Sequence, residues 1–169
     1  MLDQDNPFWQ FSVSVYGAPD VAAECLALQE SLGIDVNILL LCAWAGARGY
    51  AFDDARLAEI EQRVGDWHAH IVRPLRAIRR DIKTMPEMAH TEIQEFRKEV
   101  AAAELRAERI EQALLFEAVQ KLTAGTAMVS ADDSIRNNIS AYLTRAARGA
   151  GYMAPTTLIA SAAAYKEDN

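Results

Sequence analysis

Apolar side chains recur three and four residues apart along almost the whole chain, the period that gathers them on one face of an α-helix. Asn6 and Pro7 make a capping residue followed by proline at the first helical position. Phe8, Phe11 and Val15 then form one stripe, with Trp9 and Val13 beside it, and Gly17 ends the run. Pro19 opens a second helix, where Asp20 and Glu24 suit the positive N-terminal end. Its apolar positions are Val21, Cys25, Leu28 and Leu32, and Gly33 terminates it. Asp35 caps a third helix, Val36–Ala45, apolar on nearly every side, as the central helix of a bundle is. Residues 46–49 read as its exit loop. Asp53 caps a fourth helix, Asp54–Val64, with Leu57, Ile60 and Val64 inward.

Residues 67–83 also carry a helical pattern, in which Pro74 either kinks one helix or starts another. A break at Lys83–Pro86 precedes the longest periodic stretch, expected as one helix over about 87–124. Along it Ile93, Phe96, Val100, Ala103, Ala107, Ile110 and Leu114 make a heptad-like seam, continued loosely by Val119 and Leu122. Glu95 with Lys98 and Glu117 with Lys121 have favourable helical spacing, whereas Glu104 and Glu108 are like charges four apart. These charges read as a solvated face. Gly125 ends the stretch, Asp132 or Asp133 starts a helix reaching about Arg148, and Pro155 precedes a last one, Thr156–Tyr165. No strand-period segment, internal repeat or long linker interrupts the pattern. The expectation is all-α: a single-domain helical bundle of about six to eight helices over residues 1–169, with 1–5 and 166–169 frayed.

Composition supports that expectation. A chain of 169 residues with 51% hydrophobic content has enough apolar surface for one core. The net charge of −7 disfavours a nucleic-acid partner held by bulk charge. Charge is unevenly spread: the first 47 residues hold no Lys or Arg, while Arg73, Arg76, Arg79, Arg80 and Lys83 crowd one segment against Asp81 alone. The acidic and basic faces are expected to pair within the chain, with an external acidic partner as the alternative. Cys25 and Cys42 lie in apolar runs and read as reduced, buried thiols. The acidic N-terminus is unlike a signal peptide, and no run approaches the ~20 apolar residues of a membrane span. A cytoplasmic location is expected.

The motifs that carry chemistry are sparse. Glu87-Met-Ala-His90 has the spacing of one half of a di-iron bundle motif, but no second copy exists, so it reads as a surface pair. His68 and His70 lie two apart and face different ways on a regular helix, so both hold one metal only if the segment is irregular. No catalytic residue, metal site or cofactor is expected. More pointed are polar or amphipathic groups set among apolar ones: Gln29, Asp35, Asn37 and Trp44. Asp35 and Asn37 at the start of the most apolar helix are either a cap or a small polar site. Arg73, Arg76 and Arg80 share a helical face and either pair with Glu92, Glu95, Glu99 and the acidic N-terminal region or grip a carboxylate or phosphate. Trp9, Trp44 and Trp67 read as core anchors.

The run from Phe8-Trp-Gln-Phe-Ser through Tyr16, Val21-Ala, Cys25-Leu, Leu28-Gln29, Gly33, Asp35-Val-Asn37 and Trp44 resembles the opening of a bacterial, mainly proteobacterial, family about 160 residues long. Trp67, Val72-Arg-Pro-Leu-Arg76, Arg79-Arg80, Lys98, Glu104-Leu, Ala107-Glu108 and Glu111-Gln112 fit the same pattern, so the resemblance spans roughly residues 8–115. The family is uncharacterised and implies a helical bacterial protein without supplying an activity. It directs attention to Trp9, Gln29, Asp35, Asn37, Trp44, Arg76 and Arg80. Two functional readings follow. The leading one is a non-enzymatic interaction protein, an adaptor or self-associating chain, using the heptad-like seam or the Arg76/Arg80 face to bind a protein partner or a second copy. The alternative is a small-molecule-binding bundle, with or without catalysis, whose pocket lies near Asp35, Asn37, Trp44 and Arg76.

Overall fold

A computed structural model describes residues 1–120 and 130–166. Among these residues the protein is all-α, with eight α-helices and no strand. They are α1 (Pro7–Tyr16), α2 (Val21–Leu32), α3 (Val36–Ala47), α4 (Asp54–Trp67), α5 (Arg73–Thr84), α6 (Thr91–Gln120), α7 (Ala131–Ala147) and α8 (Thr156–Ala164). A π-helical turn, His68–Val72, joins α4 to α5, and a 3-10 turn, Pro86–Ala89, precedes α6. The expected end of the long helix at Gly125, with Leu122, lies outside the described residues. No described helix is long and apolar enough to cross a membrane.

The helix α3 is buried on all sides from Asn37 to Gly46, as its uniformly apolar sequence demands. Its main partner is α7, and α1, α2, α6 and α8 close around the pair. Gly46 belongs to α3 itself, not to an exit loop. The reason is contact: a Cβ there would lie 2.5 Å from both the Cα and the N of Ile135 on α7. Only glycine permits that backbone approach. The turn proper comes at Gly49, which has φ +77°.

The caps follow the sequence closely at α1, α3 and α4, where Asn6, Asp35 and Asp53 accept from Trp9 N, Asn37 N and Arg56 N. Glu24 lies in the first turn of α2, as expected, and has a second role. Its carboxylate accepts from Thr157 N and Leu158 N at 2.9–3.1 Å, so it also satisfies the start of α8. The residues before α1 are held too, because Arg109 donates to Gln4 O and Asp5 Oδ1. Both cysteines are buried and free.

Residues 54–84 form one continuous rod. Pro74 has no N–H to donate, and the widened π turn immediately before it takes up that missing bond. The rod runs antiparallel to α6. Arg63 meets Glu117, His68 meets Glu111, and Arg76 meets Glu108 and Glu104. The heptad-like seam divides along its length. Val100 and Ala107 are buried, Ile93, Ile110 and Leu114 are half-buried, and Phe96 and Ala103 are exposed. The inward stripe of α6 follows Val100, Glu104, Ala107, Glu111 and Leu115, so it interleaves acids with apolar residues.

Candidate binding site

The start of α3, the π turn and the middle of α6 meet at a buried polar network. Asp35 lies at the head of α3, its Oδ1 accepting from Asn37 N at 2.8 Å as a cap should. Its backbone N–H donates to Tyr142 Oη on α7 at 2.9 Å. The Asn37 amide turns inward, donating from Nδ2 to Glu111 Oε2 at 2.6 Å and accepting at Oδ1 from Gln112 Nε2 at 2.8 Å. Glu111 is fully buried. Its second oxygen, Oε1, lies 3.1 Å from His68 Nδ1, and Asp35 Oδ2 lies at the same distance from that nitrogen. Burial opposes charge on the His68 ring, but the attraction of the two carboxylates beside it outweighs that cost and raises the pKa. Burial likewise pushes the Glu111 carboxyl up, against the opposing pull of His68.

A second cluster sits one turn further along α6. Arg76 donates from Nε to Glu104 at 3.1 Å and from its two terminal nitrogens to Gln29 and Glu108, both at 2.5 Å. Arg79 clamps the same Glu104 carboxylate through Nε and Nη2. Burial raises the Glu104 pKa, yet hydrogen bonding to Arg79 and Arg76 holds it below its ordinary value. Glu108 moves the other way, because its burial outweighs its bond to Arg76.

These charges are not the solvated face expected from their spacing. Glu104 is buried, and two guanidinium groups remove the repulsion that two carboxylates four apart would suffer alone. Of the expected set, Arg76 pairs with Glu104 and Glu108 in place of Glu92, Glu95 or Glu99, and Arg80 turns to the acidic N-terminal region. Arg80 only approaches Glu30, at 3.8 Å.

Between the clusters opens a cleft of about 590 Å³, walled by α1, α2, α3, α5 and α6. Trp9, Gln29, Asn37, Arg76 and Arg80, five of the seven residues singled out from the sequence, line it together. Val13, Leu26, Leu40 and Leu105 supply apolar wall. Ser12 and Gln112 also line it, and their buried Oγ and Oε1 atoms have no hydrogen-bond partner. The second is a consequence of the network. Glu111 fixes Asn37 with its amide nitrogen inward, Asn37 therefore takes the Gln112 nitrogen, and the Gln112 oxygen is left without a partner.

The other two candidates lie elsewhere. Asp35 sits behind Asn37 in the polar network. Trp44 is a core residue, with its ring against Phe8 and Phe116 at centroid distances of 5.6 and 5.7 Å. Trp67 donates from its indole nitrogen to Ala107 O, and Trp9 stands under the Arg109 guanidinium. Among the polar partners, His68, Glu104, Glu108, Glu111, Gln112 and Tyr142 were not among the binding candidates singled out from the sequence. One signal pointed to three of them. Glu104, Glu108 and Glu111 share the helical face of Val100, Ala107 and Leu115, the wrong side for solvated acids.

A family model described as "Protein of unknown function (DUF2390)" matches residues 7–115. The matched stretch holds every residue lining the cleft, together with Asp35, His68 and Glu111, whereas α7 and α8 lie beyond it. No curated protein and no solved structure matches the chain.

Proposed function

This chain belongs to that family of unknown function, and we propose that it binds a small amphipathic organic anion in the cleft between α1, α2, α3, α5 and α6. The observation that carries the reading is a cleft large enough for a small ligand that sets the apolar side chains of Val13, Leu26, Leu40 and Leu105 beside the guanidinium groups of Arg76, Arg79 and Arg80. The apolar walls suit an aliphatic or aromatic body. Arg76, Arg79 and Arg80 face Glu104, Glu108 and Glu30, and Arg80 is the most available of the three because its pairing with Glu30 is long, at 3.8 Å, and exposed. An acidic group would seat there.

Anilinonaphthalene sulfonate combines an aromatic body with an anionic group and reports binding by fluorescence. Saturable binding at one site per native chain is expected. Leu26→Trp and Leu105→Trp would fill the cleft from exposed positions and should weaken it by ~10-fold or more, a change of about 1.4 kcal/mol. Absence of binding, or equal binding by both filled variants, would sink the reading.

A second reading is association with a protein partner or a second copy through the α5–α6 hairpin. Ile78, Met85 and Phe96 support it, being 46–51% exposed on a part of the molecule with little apolar burial of its own. Light scattering across a concentration series checks the self-association form. A dimer that Phe96→Glu dissociates would favour it, and a concentration-independent monomer would remove it.

A further inference from the structure

Asp35, His68 and Glu111 converge from three separate elements, with Asp35 Oδ2, His68 Nδ1 and Glu111 Oε1 all within 4.8 Å of one another. Each carboxylate is divided in the same way. One oxygen is tied to Asn37, through its backbone N–H for Asp35 and its side-chain amide for Glu111, and the other is aimed at His68. His68 Nδ1 carries at most one hydrogen, so it cannot satisfy both carboxylates, and hydrogen-bond geometry is met only with Glu111. Asp35 Oδ2 is buried and has no hydrogen-bond partner. Two buried carboxylates therefore share one imidazole nitrogen, and a polar atom remains unsatisfied at their meeting point.

We infer that this triad is a binding site for a divalent first-row transition-metal ion such as Zn²⁺. A metal bound by nitrogen and oxygen ligands at ~2.0–2.2 Å sets those ligands about 3–3.5 Å apart. The two 3.1 Å separations to His68 Nδ1 match that spacing. A dication would neutralise both carboxylates and satisfy Asp35 Oδ2 at once. It would hold three protein ligands, an arrangement that leaves room for water or a further ligand. Asn37 orients both carboxylates from behind, as outer partners of metal ligands do. His68 joins the set because the segment is irregular: it opens the π turn. His70, two residues on, points away and bonds to Asp66 O. The inference is independent of ligand binding in the cleft, which Gln112 and Asn37 separate from the triad.

Titration of the EDTA-treated protein with Co²⁺ tests it. One equivalent per chain should bind with the visible absorption of a low-symmetry site, be displaced by Zn²⁺, and shift the His68 ring resonances but not those of His70 and His90. Zn²⁺ should raise the thermal midpoint. His68→Ala and Glu111→Gln should each weaken binding by ~100-fold or more, and Asn37→Ala by about 10–100-fold. His70→Ala and His90→Ala should bind as the wild type does. A Co²⁺ spectrum unchanged from the aqueous ion overturns the inference, as does paramagnetic shifting of His70 or His90 in place of His68. Both readouts use the wild-type protein and hold even where a variant fails to fold. Loss of metal with retained sulfonate-dye binding would leave the cleft reading standing, and the reverse result would leave the metal site standing.

Discussion

Two helix contacts in this protein solve the same packing problem by opposite means. Where α3 meets α7, the surfaces are apolar and the backbones touch, with Gly46 against Ile135. The buried polar groups there are neutral, foremost an amide: Asn138 accepts from Phe52 N at 2.8 Å and donates to Tyr50 O at 2.8 Å and Cys42 O at 3.2 Å. Where the α4–α5 rod meets α6, the contact is built from carboxylates, guanidinium groups and an imidazole. Apolar packing is strong and nearly indifferent to which group touches which. Charged pairs add little net stability once desolvation is counted, but they fix orientation. The first contact holds the fold and the second positions chemistry, which is why the cleft and the triad both border the second.

The sharpest way to break the contrast is Gly46→Ala. One methyl group forces two backbones apart, so a loss of about 3 kcal/mol or more is expected by urea denaturation, at the upper end of overpacking effects. The control is Gly65→Ala on α4, where the added carbon meets nothing and ~0.5–1 kcal/mol of stabilisation is expected. Next comes Asn138→Ala, which strands Phe52 N, Tyr50 O and Cys42 O; a loss of about 2–4 kcal/mol, insensitive to salt, should appear in the same assay.

Glu104→Gln should cost about 2 kcal/mol, below the ~3–5 of a fully buried pair, because Arg79 reaches solvent. Its pH dependence separates the two contacts. The folded-state pKa of Glu104 lies below its ordinary 4.5, so its contribution is present above that value and is lost as pH falls through the folded value. Thermal midpoints on the acid side should therefore fall less steeply in Glu104→Gln than in the wild type; equal slopes would show that Glu104 does not carry this linkage. Smallest is Arg80→Ala. With Glu30 at 3.8 Å and both side chains exposed, a stability change within about 0.5 kcal/mol is expected, even though dye binding in the cleft should weaken severalfold.

Burial of the thiols makes a further distinction. Desolvation pushes Cys25 up to about 12 and Cys42 further, so neither should react with iodoacetamide in the native state. Alkylation of Cys42 without unfolding would mean that the α3 core opens locally.

Helix positions, the central place of α3 and the caps at Asn6, Asp35 and Asp53 were legible in the chain, because period and capping are local physics. Five of seven candidate residues also gathered at one cleft, since a polar group at the edge of an apolar stripe stays near the boundary of the core. Trp44 did not, because an all-round apolar helix buries its aromatic residue as readily as its leucines.

What tertiary structure alone decided is which polar groups share a partner. Spacing along α6 shows Glu104 and Glu108 as repelling neighbours, and only the antiparallel rod supplies Arg76 and Arg79 between them. His68 looks like a lone ring on a helix until a π turn faces it to Asp35 and Glu111, 33 and 43 residues away. Gly46 looks like a loop residue until α7 arrives. The sequence determined the helices and their faces through local periodicity. Packing determined the site, because a buried charge is tolerable only beside a partner that the fold brings from far along the chain.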